Sequence, residues 1–246
     1  MNEQITTGWI ELDGGSDAYL AVPRDRDPIG AVVAGAEMFG FTQHSLDVCE
    51  RLARAGYAVV APDLYWRDTP RAVLGYDDAG RQVGRRLMTG LRRDDVLADV
   101  GAALAAARSR AERGGTAVVG LSVVGHVAVL AATRLPLDLA VTFYGGWTLR
   151  GGLPLAEPAP LDDAESISAF VLGFVGGQDF LIPGDEWQAI DERLSAAGVK
   201  HELVTYPGAA HGFACADRPD TYDEDATTDA WRRTLDALHE HVAAAT

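Results

Sequence analysis

The sequence predicts an α/β fold: the α/β class, with a mainly parallel sheet flanked by helices and an N-terminal antiparallel hairpin. Three observations predict it. Short continuous apolar runs, such as residues 30–35 and 57–61, suit strands buried on both faces. Segments with helical spacing follow most of these runs, which is the alternation a parallel sheet requires. Residues 5–23 instead alternate polar and apolar about Asp13-Gly14-Gly15, the pattern of two half-exposed strands joined by a tight turn. A chain of 246 residues, 48% of them hydrophobic, is long enough to bury one full core, so a single domain over 1–246 is expected. No internal repeat, low-complexity tract or linker divides it.

After the hairpin, the mixed charges between Pro23 and Pro28 read as a loop and Gly30–Gly35 as the first buried strand. Ala36 to Gly40 is a loop. Gln43 to Ala55 has helical spacing (Leu46, Cys49, Leu52, Ala53) and stops at Gly56, a helix-ending position. Tyr57–Ala61 is the next strand, closed by Pro62-Asp63. Leu64 to Gly90 has no clear period and reads as a long irregular insertion, the kind that covers or shapes a site. Arg92 to Arg113 reads as a helix with Val96, Val100, Ala103, Leu104 and Ala107 on one face. Ala117–Val119 is a strand, and Val127 to Arg134 a helix. Leu137–Phe143 is a strand, 147–168 a proline-bearing loop, Ala169–Gly176 a strand and Gly184–Ala197 a helix. His201–Tyr206 is the last strand. A polar loop over 214–224 leads to a closing helix over 225–245.

Composition excludes several functions. A formal charge of −15 is opposite to a nucleic-acid footprint, so no nucleic-acid partner is expected. Two cysteines, Cys49 and Cys215, are too few for a disulfide framework or a cysteine-rich zinc site, and no metal and no cofactor is expected. No basic region followed by an apolar run opens the chain, and no stretch approaches a membrane span. A cytoplasmic protein with a small-molecule substrate and no membrane partner is the expectation. A homodimer is compatible with the sequence, which does not specify the oligomeric state.

Three residues at successive strand ends could do chemistry together. Ser122 lies at the bend between strand and helix in Gly120-Leu-Ser122-Val-Val-Gly125, close to the G-x-S-x-G nucleophile elbow of α/β-hydrolases, except that Val124 stands where the second glycine belongs. A serine hydroxyl is a poor nucleophile without a base, and that base is commonly a histidine held by a carboxylate. Asp179 follows the strand ending at Gly176, and His211 follows the last strand. The order Ser, Asp, His is that of the α/β-hydrolase arrangement. Singly, Ser122 and Asp179 also read as helix caps and His211 as an exposed loop residue. Their concurrence favours a site. Of the other histidines, His44, His239 and His241 are expected on solvent-facing helix surfaces, His201 at a strand start and His126 in packing. Cys215 is expected to be a small packing residue.

At these segments the chain resembles the dienelactone hydrolase family. The resemblance rests on Glu37-Met-Phe-Gly40, Gly120–Gly125, Gly177-Gln-Asp179-Phe-Leu-Ile-Pro183 and Tyr206-Pro-Gly-Ala-Ala-His211-Gly-Phe213, with Ala58–Leu64 in addition. It implies an α/β-hydrolase fold and hydrolysis of small esters or lactones. It further implies Ser122 as nucleophile, His211 as base and Asp179 as its carboxylate, with an oxyanion hole from the backbone N–H groups of Met38 and Val123. Glu37 matches a glutamate that assists the cysteine nucleophile of other members; here it could instead bond Ser122, contact substrate, or be a buried structural carboxylate. Phe39, Arg81, Tyr144 and Phe213 are the further candidates for substrate contact, with Trp66 and Trp147 on neighbouring loops. Two departures stand out. Val124 replaces the first of the family's paired glycines, and Cys215 replaces an arginine four residues after the histidine, so dienelactone itself is not the expected substrate. Non-hydrolytic biosynthetic chemistry and simple ligand binding on the same scaffold stay open at this point.

Overall fold

The computed structural model describes residues 4–243. Eight strands form one sheet in the order β1-β2-β4-β3-β5-β6-β7-β8. The strands are β1 (Ile5–Glu11), β2 (Asp17–Pro23), β3 (Ala31–Gly35), β4 (Ala58–Pro62), β5 (Thr116–Leu121), β6 (Leu139–Phe143), β7 (Phe170–Gln178) and β8 (His201–Ala210). The hairpin β1–β2 and the β2–β4 pair are antiparallel, and all other pairs are parallel. This is the α/β-hydrolase arrangement of the expected class.

The helices are α1 (Gln43–Ala55), α2 (Asp78–Gly90), α3 (Arg93–Arg108), α4 (Val123–Ala132), α5 (Gly184–Ala196) and α6 (Glu224–Leu238). They flank a sheet whose central strands, β3, β5 and β6, are buried at every residue but Thr116. Such strands carry no polar face because both faces are covered. α1 has the bounds its spacing predicts. Thr42 caps its start by accepting from the Ser45 N–H, and Gly56 ends it at φ 116°.

Four readings are corrected. The stretch 64–90 is not irregular throughout: its second half is α2, started by Asp77, whose carboxylate accepts from the Gly80 N–H at 2.8 Å. Two glycines on its buried face, Gly80 and Gly84, hid its period, since only Leu87 and Met88 mark that face as apolar; a Cβ on Gly84 would meet the Met38 carbonyl oxygen at 3.0 Å. α3 ends at Arg108, five residues before the predicted stop, with Ser109 in its cap. α4 begins directly at Val123 rather than Val127. β8 runs on to Ala210, so His211 sits immediately at its end. The loop 147–168 contains short 3-10 turns at Pro154–Ala156 and Pro160–Ser166. The closing helix is α6 with a π-helical turn over His239–Ala243, and the rest of its predicted span lies outside the described residues.

Candidate active site

The strand order brings the separated segments together. β5 leads directly into Ser122, with β3 on one side of the strand and β6, β7 and β8 in succession on the other. Loops leaving the carboxyl ends of parallel strands therefore surround the serine, as open α/β sheets place their sites.

Ser122 has φ 54° and ψ −118°, outside the regions a residue with a side chain normally occupies. The turn is held from both sides: the Ser122 N–H donates to the Phe143 carbonyl at 2.9 Å, and its own carbonyl accepts from the His126 N–H at 3.0 Å. A Cβ on Gly120 would meet the Val124 carbonyl oxygen at 2.0 Å, so the residue two before the serine has to be glycine. The valine at 124 finds its room elsewhere. Its two methyl groups stand where a side chain on Gly35, at the end of β3, would come within 3.2 Å of both. The glycine missing after the serine is thus matched by a glycine on the neighbouring strand.

The Ser122 hydroxyl lies 3.1 Å from His211 Nε2, and His211 Nδ1 lies 2.9 Å from Asp179 Oδ2. Asp179 Oδ1 accepts from the N–H groups of Leu181 at 2.8 Å and Ile182 at 3.3 Å, so the carboxylate is fully buried yet satisfied on both oxygens. That leaves Nδ1 as the protonated nitrogen and Nε2 free to accept from the serine. An imidazole held this way can take the serine's proton and return it.

Glu37 is buried beside this group, and its carboxyl is pushed up chiefly by burial, with the charges of Arg218 and His211 opposing. Its Oε1 accepts from Arg218 Nη1 at 3.4 Å, whereas Oε2 has no hydrogen-bond partner among the described residues. A bond from Ser122 to Glu37 is therefore not made. Arg218 escaped the sequence reading because it lies in the polar loop seven residues past His211. Successive turns, Cys215 N–H to the Gly212 carbonyl and Arg218 N–H to the Cys215 carbonyl, fold it back onto Glu37. Nothing in the sequence signals that pairing.

Met38 is half-buried on the loop after β3, where Tyr65 Oη donates to its carbonyl at 3.2 Å. Val123 is the first residue of α4, whose initial N–H groups have no partner within the helix. Tyr144 and Phe213 are fully buried behind His211, with Tyr144 edge-on to the imidazole at 5.0 Å and to Phe213 at 5.2 Å. Phe39 is buried against Tyr76 at 4.7 Å. Arg81 lies on α2, 4.0 Å from Asp78. Trp66 is drawn away to α3, donating from Nε1 to Asp99 at 3.3 Å. Trp147 is half-buried on the loop after β6 at φ 58°. A cavity beside Val124, among Gly35, Phe41, Tyr65 and Val100, has Glu37 on its wall but neither Ser122 nor His211.

The remaining candidates have structural surroundings. His126 is buried, bonds the Gly146 carbonyl through Nδ1 at 2.9 Å, and is lowered by burial to about 4. Cys215 is buried with Sγ donating to Tyr76 Oη at 3.5 Å, and burial raises its thiol to about 11, so it is no nucleophile near neutral pH. His44 is half-buried rather than solvent-facing, because α1 turns it inward, and His241 stacks on Phe170 at 4.4 Å.

Comparison with known proteins gives a consistent result. The family model described as the dienelactone hydrolase family matches residues 16–242. A protein of Synechocystis sp., provisionally named carboxymethylenebutenolidase, is 32% identical over 219 residues, 87% of each chain. One of the same provisional name from Escherichia coli K12 is 32% identical over 250 residues, 96% of this chain and 87% of the relative. Among solved structures, a provisionally named dienelactone hydrolase from Klebsiella pneumoniae superposes with a TM-score of 0.86 at 32% identity, covering 96% of this chain and 99% of the other. Among the described residues, no helix is long and apolar enough to cross a membrane.

Proposed function

The chain belongs to the dienelactone hydrolase family, and from that premise we propose that it hydrolyses a small-molecule ester or lactone through an acyl-enzyme on Ser122. The observation that carries the reading is the strained serine at a strand-helix turn, 3.1 Å from an imidazole that is itself 2.9 Å from a buried carboxylate.

In this reading His211 Nε2 takes the hydroxyl proton as Oγ attacks the carbonyl carbon. Asp179 holds the Nδ1–H tautomer and stabilises the imidazolium. The N–H groups of Val123 and Met38 receive the oxyanion, and each such donor is worth on the order of 3 kcal/mol in the transition state. As the intermediate collapses, His211 returns its proton to the departing alcohol oxygen. Water then repeats the sequence on the acyl-serine and releases the carboxylic acid. Glu37, occupied by Arg218, supports the site without acting on the serine.

A fluorophosphonate probe is expected to add its phosphonyl mass once per chain, on Ser122. Ser122→Ala should abolish both labelling and ester turnover, and His211→Ala should lower kcat by at least a thousandfold. An unchanged intact mass after prolonged exposure to the probe would overturn the reading. Retained turnover in Ser122→Ala with loss in His211→Ala would point instead to non-hydrolytic acid–base chemistry.

A further inference from the structure

We infer that Phe180 is the specificity-determining residue of this site, and that it receives an aromatic or bulky apolar alcohol portion of an uncharged ester. The inference rests on the hydrolase reading above and deepens it. Phe180 is the most exposed of the large hydrophobic side chains among the described residues, with 77% of its surface open to solvent. It is nevertheless not adrift: its ring stands edge-on to the His211 imidazole at 5.6 Å, and its neighbours Asp179 and Leu181 are tied together by the Leu181 N–H bond to Asp179 Oδ1. An aromatic face left in water beside a reactive imidazole is a surface an apolar group can cover, with favourable aromatic pairing added to the area buried.

Its position also selects which half of an ester it meets. His211 must return its proton to the leaving oxygen, so the alcohol portion lies on the imidazole side of Ser122. Phe180 flanks that same imidazole. The loop after β3, with Met38 and the exposed Val73 bridged to Gly40, lies on the opposite flank of β5.

Charge points the same way. The arginine expected four residues past His211 is the buried Cys215. Arg218 is committed to Glu37, Arg150 on the loop after β6 lies 4.0 Å from Asp185 and 3.9 Å from Glu186, and Arg81 on α2 lies 4.0 Å from Asp78. With a net charge of −15, the molecule repels an anionic substrate before it arrives.

The test compares phenyl acetate, ethyl acetate and the anionic 4-acetoxybenzoate on the full chain. The kcat/KM for phenyl acetate is expected to exceed that for 4-acetoxybenzoate at least tenfold, although the carboxylate-bearing phenol is the better leaving group. In Phe180→Ala, the phenyl-to-ethyl ratio of kcat/KM should fall about tenfold, mainly through KM, and Phe180→Trp should restore it. Calorimetric titration of phenyl acetate into Ser122→Ala, with and without Phe180→Ala, reads binding apart from turnover and should show about tenfold weakening. If the wild type hydrolyses none of the esters but this weakening occurs, the hydrolase reading fails, the assignment of the alcohol portion falls with it, and Phe180 is left as an apolar binding contact only. If hydrolysis proceeds and Phe180→Ala changes neither ratio nor binding by more than twofold, the assignment alone is overturned. A preference for 4-acetoxybenzoate, or no saturable binding of phenyl acetate, overturns it as well.

Discussion

At position 124 the family pattern has a glycine and this chain has a valine, whose methyl groups fill the space left by Gly35. The two residues are far apart in sequence and form one steric unit. Gly35→Ala is expected to destabilise the protein by about 1 kcal/mol through overpacking, and the loss should vanish when Val124→Ala is added. Urea unfolding of the four members of that cycle measures the coupling; zero coupling would mean that Gly35 does not make the room for Val124. Arg218 and Glu37 form a second such unit. Removing the guanidinium with Arg218→Met leaves a buried carboxylate unpaired, at a cost of about 3–5 kcal/mol when ionised. Burial already raises the Glu37 carboxyl, so protonation relieves that loss. The Arg218→Met deficit in unfolding free energy should therefore be largest at neutral and alkaline pH and shrink on acidification. A deficit independent of pH would show that Glu37 is not its origin.

At the scale of elements, α2 and α4 do most to shape the site. α4 is apolar but for His126 because it is buried all round, and starting at Val123 it sets an N-terminus beside the serine hydroxyl. α2 packs Gly84 against the Met38 carbonyl on the loop after β3. Asp77 caps α2, so Asp77→Ala is expected to cost about 1 kcal/mol in urea unfolding. Gly84→Ala pushes directly on the Met38 carbonyl. If Met38 supplies an oxyanion donor, this variant should lose kcat severalfold with little change in KM for a neutral ester. An unchanged kcat would place the donor elsewhere.

For the whole molecule, pH acts through buried histidine. His126 is held neutral in the fold, lowered from 6.5 to about 4 chiefly by desolvation. The unfolded chain binds its proton more readily, so stability rises with pH across that interval. The contribution is complete above about pH 6.5 and is lost as pH falls toward 4. At about 1.4 kcal/mol for each pH unit separating the two states, it is on the order of 3 kcal/mol. His126→Gln should flatten the dependence of unfolding free energy on pH between 6.5 and 4 relative to wild type; an unchanged slope would assign it to other groups.

The sequence by itself determined the sheet, its hairpin edge, α1 to the residue, and the order of serine, aspartate and histidine at strand ends. These follow from local periodicity, caps and motifs, which a few neighbouring residues carry. α2 was illegible because two of its four buried positions, Gly80 and Gly84, are glycines, which leaves only Leu87 and Met88 to mark its apolar face. Only the tertiary structure decided that Arg218 folds back onto Glu37, that Gly35 makes room for Val124, and that Trp66 turns to Asp99. It also placed Phe180 in the open beside His211. Each of these is a contact between residues distant in the chain, brought together by strand order and loop closure, and no local pattern encodes a partner that only the folded sheet supplies.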